Sequence, residues 1–305
     1  RLNFPGLVQS DLKDIPLFED LKFSGPAHVS LNLNGNLDSF KFEHQADLAQ
    51  VGYQIPGVLE KRPNALSKFK AKGSVLKNGG VTVDNWSYEL GGNHVSGAAQ
   101  IPDLDNPEFT ISLAADNFQA YPSRQFFRFF DAEMDGSADF EIIGSGNLND
   151  LSSAKFEGEM KLKELKIRPK NFLSFLTVDA NLKFKENRLD IRSGNMKSDQ
   201  SGLSFSGVYQ RGDSPSLDLN LVGQRLDVDE IFPESESEKT SLIGQLNKYE
   251  FFNKGKGNVK FKLDQLNYKL LNLDQVGGSL ILNNKGIEME DRTFSDTTPV
   301  KSGGR

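Results

Sequence analysis

The sequence contains no cysteine, which excludes disulfides, thiolate metal sites and cysteine nucleophiles. Cysteine-free chains occur in oxidising and reducing compartments alike, so this absence does not place the protein. A long apolar run is missing too. The best candidate, Phe172-Leu173-Ser174-Phe175-Leu176-Thr177-Val178, falls far short of the ~18 residues of a helical membrane span. Histidine is scarce, and His28, His44 and His94 share no metal-ligand spacing. No nucleophile elbow, phosphate loop or zinc-binding helix motif is present. Asp227-Val228-Asp229-Glu230 and Asp103-Leu104-Asp105-Asn106 lack the ligand spacing and final Glu of a calcium loop. We expect no enzymatic activity, no cofactor and no metal site.

Positive charge is not in excess. Lys and Arg number 36 against 42 Asp and Glu, for a net charge of −6, the reverse of the basic footprint that nucleic-acid binding requires. Apolar side chains make up only 37 %. The usual ~45–50 % counts glycine as apolar, and 28 glycines close the gap, so disorder is not implied. There is no initiator methionine and no secretory signal pattern. The expectation is an excised segment of a longer protein.

What the chain has is a repeat. Ser24-Gly25-Pro26-Ala27-His28-Val29-Ser30-Leu31-Asn32-Leu33-Asn34-Gly35-Asn36-Leu37 recurs, without a gap, 111 positions later from Asp135 to Leu148. Val81-Thr82-Val83 then corresponds to Leu189-Asp190-Ile191, Ser96–Gln100 to Ser206–Gln210, and Pro107–Leu113 to Pro215–Leu221, as the spacing drifts to 108. A third copy opens at Gly257-Asn258-Val259-Lys260-Phe261-Lys262-Leu263. Boundaries follow: a partial preceding unit over 1–23, copies over 24–134 and 135–256, and a truncated copy over 257–305. A fixed long period marks an array of similar units, and arrays work through extended surfaces rather than a single pocket.

Period-two alternation dominates each copy. Ala27, Val29, Leu31 and Leu33 share one side of a strand, and His28, Ser30, Asn32 and Asn34 the other. Met160/Leu162, Leu182/Phe184, Leu203/Phe205, Leu217/Leu219/Leu221 and Val259/Phe261/Leu263 repeat the pattern. Such strands have one apolar and one wet face, as in antiparallel sheets. Turns are predicted at Asn78-Gly79-Gly80, Glu186-Asn187-Arg188, Gly212–Pro215 and Asn283–Gly286. The slip at Leu162-Lys163-Glu164-Leu165 predicts a β-bulge or a strand break. Short helices are expected at Ser123–Phe130 and Thr240–Tyr249, with a remnant at Leu17–Leu21. The unit therefore reads as seven or eight strands and one short helix: an all-β fold of tandem antiparallel units in an elongated curved sheet or groove.

One small helix cannot cover the apolar face of so many strands. The sheet must fold onto itself, meet a neighbouring copy, or hold an apolar ligand. Val29, Leu31, Leu33, Phe140, Ile142, Leu162, Phe184, Phe205, Leu219, Phe261 and Leu263 are the candidates for a ligand-holding face. Twenty-three Phe against one Trp fit such a face, and fit ordinary strand packing equally. The Phe126–Phe130 cluster fits a helix laid across a sheet end or a contact between copies. Lys161, Lys163, Lys166, Arg168 and Lys170 fit a solvated strand face or a surface for lipid headgroups.

The Gly-led strands at Gly25, Gly136 and Gly257 carry a resemblance. So do the Gly-Asn-Leu turns at Gly35–Asp38 and Gly146–Asn149, and the strand from Pro215 to Leu221 followed by Arg225–Phe232. In these the chain resembles the AsmA-like family of bacterial envelope β-groove proteins (AsmA, TamB and YhdP types). The resemblance implies a periplasmic β-groove anchored in the inner membrane by a helix outside this segment. It also implies phospholipid, or another acyl-chain lipid, moving between inner and outer membrane, with envelope proteins as further partners. Two alternatives remain: a scaffold for outer-membrane biogenesis acting through protein contacts, and a β-sandwich adhesin.

Overall fold

The computed structural model describes residues 2–4, 22–36, 38–55, 59–121, 132–169, 174–231, 255–268, 271–283 and 286–296. Among them strands dominate, with one helix of four residues and a helical pair at Ala120 and Tyr121. The expected helices at 17–21, 123–130 and 240–249, the Phe126–Phe130 cluster and Lys170 lie outside the described residues. The chain divides into two compact units, residues 1–160 and 161–305.

The first unit holds β1 (Leu2–Phe4), β2 (Lys22–Ser24), β3 (His28–Gly35), β4 (Ser39–Asp47), β5 (Gly52–Ile55), β6 (Leu59–Lys61), β7 (Ser67–Leu76), β8 (Val81–Leu90), β9 (Asn93–Ile101), β10 (Glu108–Gln119) and β11 (Ala132–Asn147). β12 (Asp150–Pro169) contributes residues to both units. The second unit continues with β13 (Leu176–Lys185), β14 (Arg188–Lys197), β15 (Gly202–Gln210), β16 (Ser216–Asp227), α1 (Val228–Ile231), β17 (Lys256–Tyr268), β18 (Leu271–Asn283) and β19 (Gly286–Asp296). In the first unit the sheet order is β1-β3-β4-β7-β8-β9-β10-β11, with β2-β5-β6 as a separate small sheet. In the second it is β13 through β19 in sequence. Neither order returns to its first strand, so neither sheet closes into a barrel.

The repeat is visible in the backbone. Gly25 and Gly136, 111 residues apart, have φ of +86° and +98°, a left-handed conformation that glycine adopts without a Cβ penalty. At the following turns Asn36 Oδ1 accepts the Asp38 N–H at 3.0 Å, and Asn147 Oδ1 accepts the Asn149 N–H at 2.9 Å. Register shifts recur as well. The β8–β9 ladder skips between Val83 and Trp86, and the β14–β15 ladder between Ile191 and Gly194, 108 positions on. Each skip sets two residues of one strand opposite one of its partner, a bulge that increases local twist.

Two sequence expectations change. Among the described residues the first copy holds eight strands, β3–β10, six of them in the large sheet, whereas the second holds six, β11–β16, rather than seven or eight. At Leu162–Leu165, where the sequence allowed either a β-bulge or a break, β12 continues through its 20 residues with φ of +46° at Glu164. The second change concerns direction. β10 and β11 are antiparallel, but β16 and β17 run parallel, pairing Leu219 with Val259 and Leu221 with Phe261. A parallel pair needs a connection of a dozen or more residues, and 28 residues separate the end of β16 from the start of β17 in the chain.

Candidate ligand-binding face

Residues directly opposite in a ladder point to the same side, so the registers assemble complete faces from single strands. In the first unit one row runs Leu31, His44, Ala71, Trp86, Gly97, Leu113, Ile142. A neighbouring row pairs Leu33 with Phe42 and Gly73, and Gly73 with Val83. The opposite side of the same strands carries Asn32, Glu43, Lys72 and Asn85. There Lys72 meets Glu43 at 2.9 Å with both side chains at least half exposed. One side is therefore apolar from β3 to β11, and the other polar.

The second unit repeats the design. Phe184 pairs with Leu189, and Leu189 with Tyr209. Tyr209 faces Leu217, Gly207 faces Leu219, and Phe205 faces Leu221. The row continues through Phe261 to Gly278. The back side is again polar, with Asp179 opposite Asn195 and Asn195 opposite Ser204.

Burial states how far these faces are roofed. Of the eleven candidates, Leu33 is 50 % exposed and Leu263 only 4 %. Val29, Leu31, Phe140, Ile142, Leu162, Phe184, Phe205, Leu219 and Phe261 are half-buried. Leu263 belongs to a packed cluster with Leu203 and Val276, flanked by Met196, Phe261 and Leu266. Among the described residues no phenylalanine is buried, and five of the thirteen buried hydrophobics are alanines. Phenylalanine is often fully buried in closed cores. Here the rings lie on a surface.

Glycine explains how the rings lie flat. A Cβ on Gly194 would sit 2.3 Å from the Phe205 ring, one on Gly73 2.8 Å from Phe42, and one on Gly144 2.6 Å from Phe156. Each ring covers a glycine on a neighbouring strand, the aromatic-over-glycine device of β-sheets. Phe156, 44 % exposed, escaped the sequence reading because alternation around it is weak. Phe42, Phe69, Trp86, Leu113 and Ile191 also belong to these faces; their signal lay in the partner strands' register.

His44 is the one histidine on an apolar face. It is half-buried, its ring tilted against Phe69 at a centroid distance of 5.8 Å, and burial holds its pKa below the ordinary value. His28 lies on the polar side and is exposed. Lys161 and Lys166 are exposed, and the Arg168 guanidinium lies 4.6 Å from the Phe175 ring centroid.

The strand ends are built from polar contacts. Lys61 is 1 % exposed, and its ammonium donates to the carbonyls of Leu48 at 2.8 Å, Ala49 at 3.2 Å, Val51 at 2.6 Å and Arg62 at 3.3 Å. Burial lowers its pKa and the Asp47 charge opposes that shift. Beside it the Tyr53 and Tyr88 hydroxyls hydrogen-bond each other, and Ser67 Oγ donates to the Tyr88 hydroxyl at 3.0 Å. Burial pushes the Tyr53 pKa up to about 12. Tyr53 and Ala65 pack on Leu90, so the small sheet covers one end of the first unit's apolar face. In the second unit the Glu230 carboxylate of α1 accepts from Ser198 Oγ at 2.8 Å, Ser201 Oγ at 3.0 Å and the Gln200 N–H at 3.0 Å.

A hollow of about 480 Å³ also opens in the second unit, beside side-chain-less Gly202 and half-exposed Val222. Lys197, Ser204, Lys262 and Asp264 line it. Among the described residues no group of three or more metal-ligating side chains comes together, and no helix is long and apolar enough to cross a membrane.

Compared with family profiles, curated proteins and solved structures, the chain gives no match.

Proposed function

We propose that this chain is a lipid-binding β segment of an AsmA-like envelope protein, holding acyl chains of phospholipid on its apolar sheet faces. The observation that carries the reading is the half-buried ring of Phe205 on Gly194, repeated by Phe42 on Gly73. These rings belong to faces whose reverse sides are polar. Burying a CH₂ group is worth roughly 0.8 kcal/mol, so an acyl chain of about a dozen carbons gains on the order of 10 kcal/mol before entropic losses. Binding of this kind asks for no reactive group and tolerates sliding, which suits conduction between membranes. In the full-length protein the segment works in the periplasm, held to the inner membrane by an anchor outside it.

Native mass spectrometry of the purified chain, with lipid extraction, tests the reading. Phospholipid is expected to co-purify. Photocrosslinkers at Phe205 and Leu219 sharpen the test: crosslinks to lipid support transport. Crosslinks to polypeptides alone replace it with the scaffold reading.

A further inference from the structure

The first unit's apolar face is interrupted by two polar groups in one cross-strand row. His44 on β4 and Trp86 on β8 each pair with Ala71 on β7. Their backbones are thus two strand spacings apart, about 10 Å, with only a methyl group between them in the row. The Trp86 Nε1 atom is buried and has no hydrogen-bond acceptor among the described residues. A buried donor without an acceptor is costly and uncommon. The next residue along the row is Gly97, which places no side chain against the indole. A neutral imidazole carries one N–H of its own.

Among the described residues, the ladder neighbours of the row supply no anion. His44 is flanked in the ladders by Leu31 on β3, and by Phe42 and Ala46 on its own strand's same side. On β7 it meets Ala71 between Phe69 and Gly73, and on β8 the same side carries Tyr88, Trp86 and Val83. The corresponding rows in the second unit, such as Leu182–Ile191–Gly207–Leu219, hold neither imidazole nor indole. Two donors set into an apolar wall complement a ligand that is mostly hydrocarbon and carries one group of acceptor oxygens.

We infer that the His44–Ala71–Trp86 row is a headgroup station, binding the anionic group of an acyl-chain amphiphile whose tail lies on Phe42, Phe69 and Leu113. The inference rests on the lipid reading above and adds to it a fixed polar contact. A uniformly greasy face holds a chain at any position along its length. A donor pair gives the chain a preferred stop and selects acidic amphiphiles over neutral ones.

Trp86 is the sole tryptophan, so its indole gives a single ¹⁵N–¹H resonance that reports directly on the site. The probes are hexadecanoate, its methyl ester and inorganic phosphate, each titrated into the intact chain. Hexadecanoate is expected to move the indole proton downfield and to bind about tenfold more tightly than the ester, the scale of one charged hydrogen bond. Calorimetry on Trp86→Phe and His44→Leu is expected to show that preference lost while ester binding persists. Equal binding of acid and ester without a downfield shift overturns the headgroup station and leaves the lipid reading standing. An acid preference undiminished in both variants also overturns it, and so does a shift produced by phosphate alone. If neither hexadecanoate nor its ester binds, the lipid reading falls and the station with it. The indole measurement needs no mutation, so a variant that fails to fold does not blunt the test.

Discussion

Asn93 holds Gln119 through both ends of its side-chain amide. Nδ2 donates to the Gln119 carbonyl at 3.0 Å, and Oδ1 accepts the Gln119 N–H at 2.6 Å. One repeat later, 108 positions along, Ser201 Oγ accepts the Asp227 N–H at 2.9 Å. The two side chains are 4 % and 6 % exposed. Different chemistry thus fixes the same joint, where the last strand of a copy ends beside the strand before it. Asn93→Ala is expected to destabilise the first unit by about 1–3 kcal/mol, the cost of leaving buried backbone groups unpaired. Urea unfolding measures this, and an unchanged midpoint would show that the joint contributes nothing.

Lys61 joins the small sheet to the turn after β4. Three ammonium hydrogens face four carbonyl oxygens. Lys61→Met keeps most of the packing and removes every donor. The expected loss is about 2–3 kcal/mol, with faster amide exchange localised to residues 48–54. Exchange that is uniformly faster, or unchanged, contradicts a local clasp.

Two glycines separate backbone from side-chain crowding. A Cβ on Gly207 would lie 2.2 Å from the Asp218 carbonyl oxygen, whereas one on Gly194 meets the Phe205 ring. A ring turns aside; a ladder carbonyl does not. Gly207→Ala is expected to cost about 1–3 kcal/mol, and Gly194→Ala distinctly less while displacing Phe205. Ring-proton NMR shifts and thermal unfolding together distinguish the two outcomes.

Acid should weaken the first unit through His44. Burial depresses its folded-state pKa below the ordinary value of 6.5, so the unfolded chain binds more protons between those two values. The associated stability is complete above pH 6.5 and falls as pH drops toward the folded pKa. His44→Leu is expected to flatten that part of the stability–pH curve. A slope that survives the substitution assigns the effect to other groups.

Leu219 sits in mid-face, between Gly207 and Val259 in its row. Leu219→Glu places a charge where an acyl chain would lie. At least tenfold weaker lipid binding is expected with the far-UV circular dichroism unchanged, since burying an unpaired carboxylate against hydrocarbon is strongly unfavourable. Full lipid binding by a folded variant would remove the strongest support for the ligand face.

Much of the strand pattern was legible in advance. His28–Gly35 alternates, so its sidedness follows from local geometry alone, and the turn at Asn78-Gly79 follows from glycine, with φ of +80° at Gly79. The continuity of β12 was harder to read, because a bulge at Glu164 and a true break give the same one-residue slip. The parallel step from β16 to β17 was not readable, since alternation is identical in either direction.

Sequence alone determined that these strands are one-sided and that the pattern recurs, because a side chain's face depends only on its position along its own strand. The tertiary structure decided which faces join and what they contain. His44 and Trp86 lie 42 positions apart in the chain and share a row only through the registers of β4, β7 and β8. It also decided that Phe205 rests on Gly194 rather than inside a sealed core. Alternation cannot distinguish those cases, since a strand presents the same apolar edge to protein and to lipid.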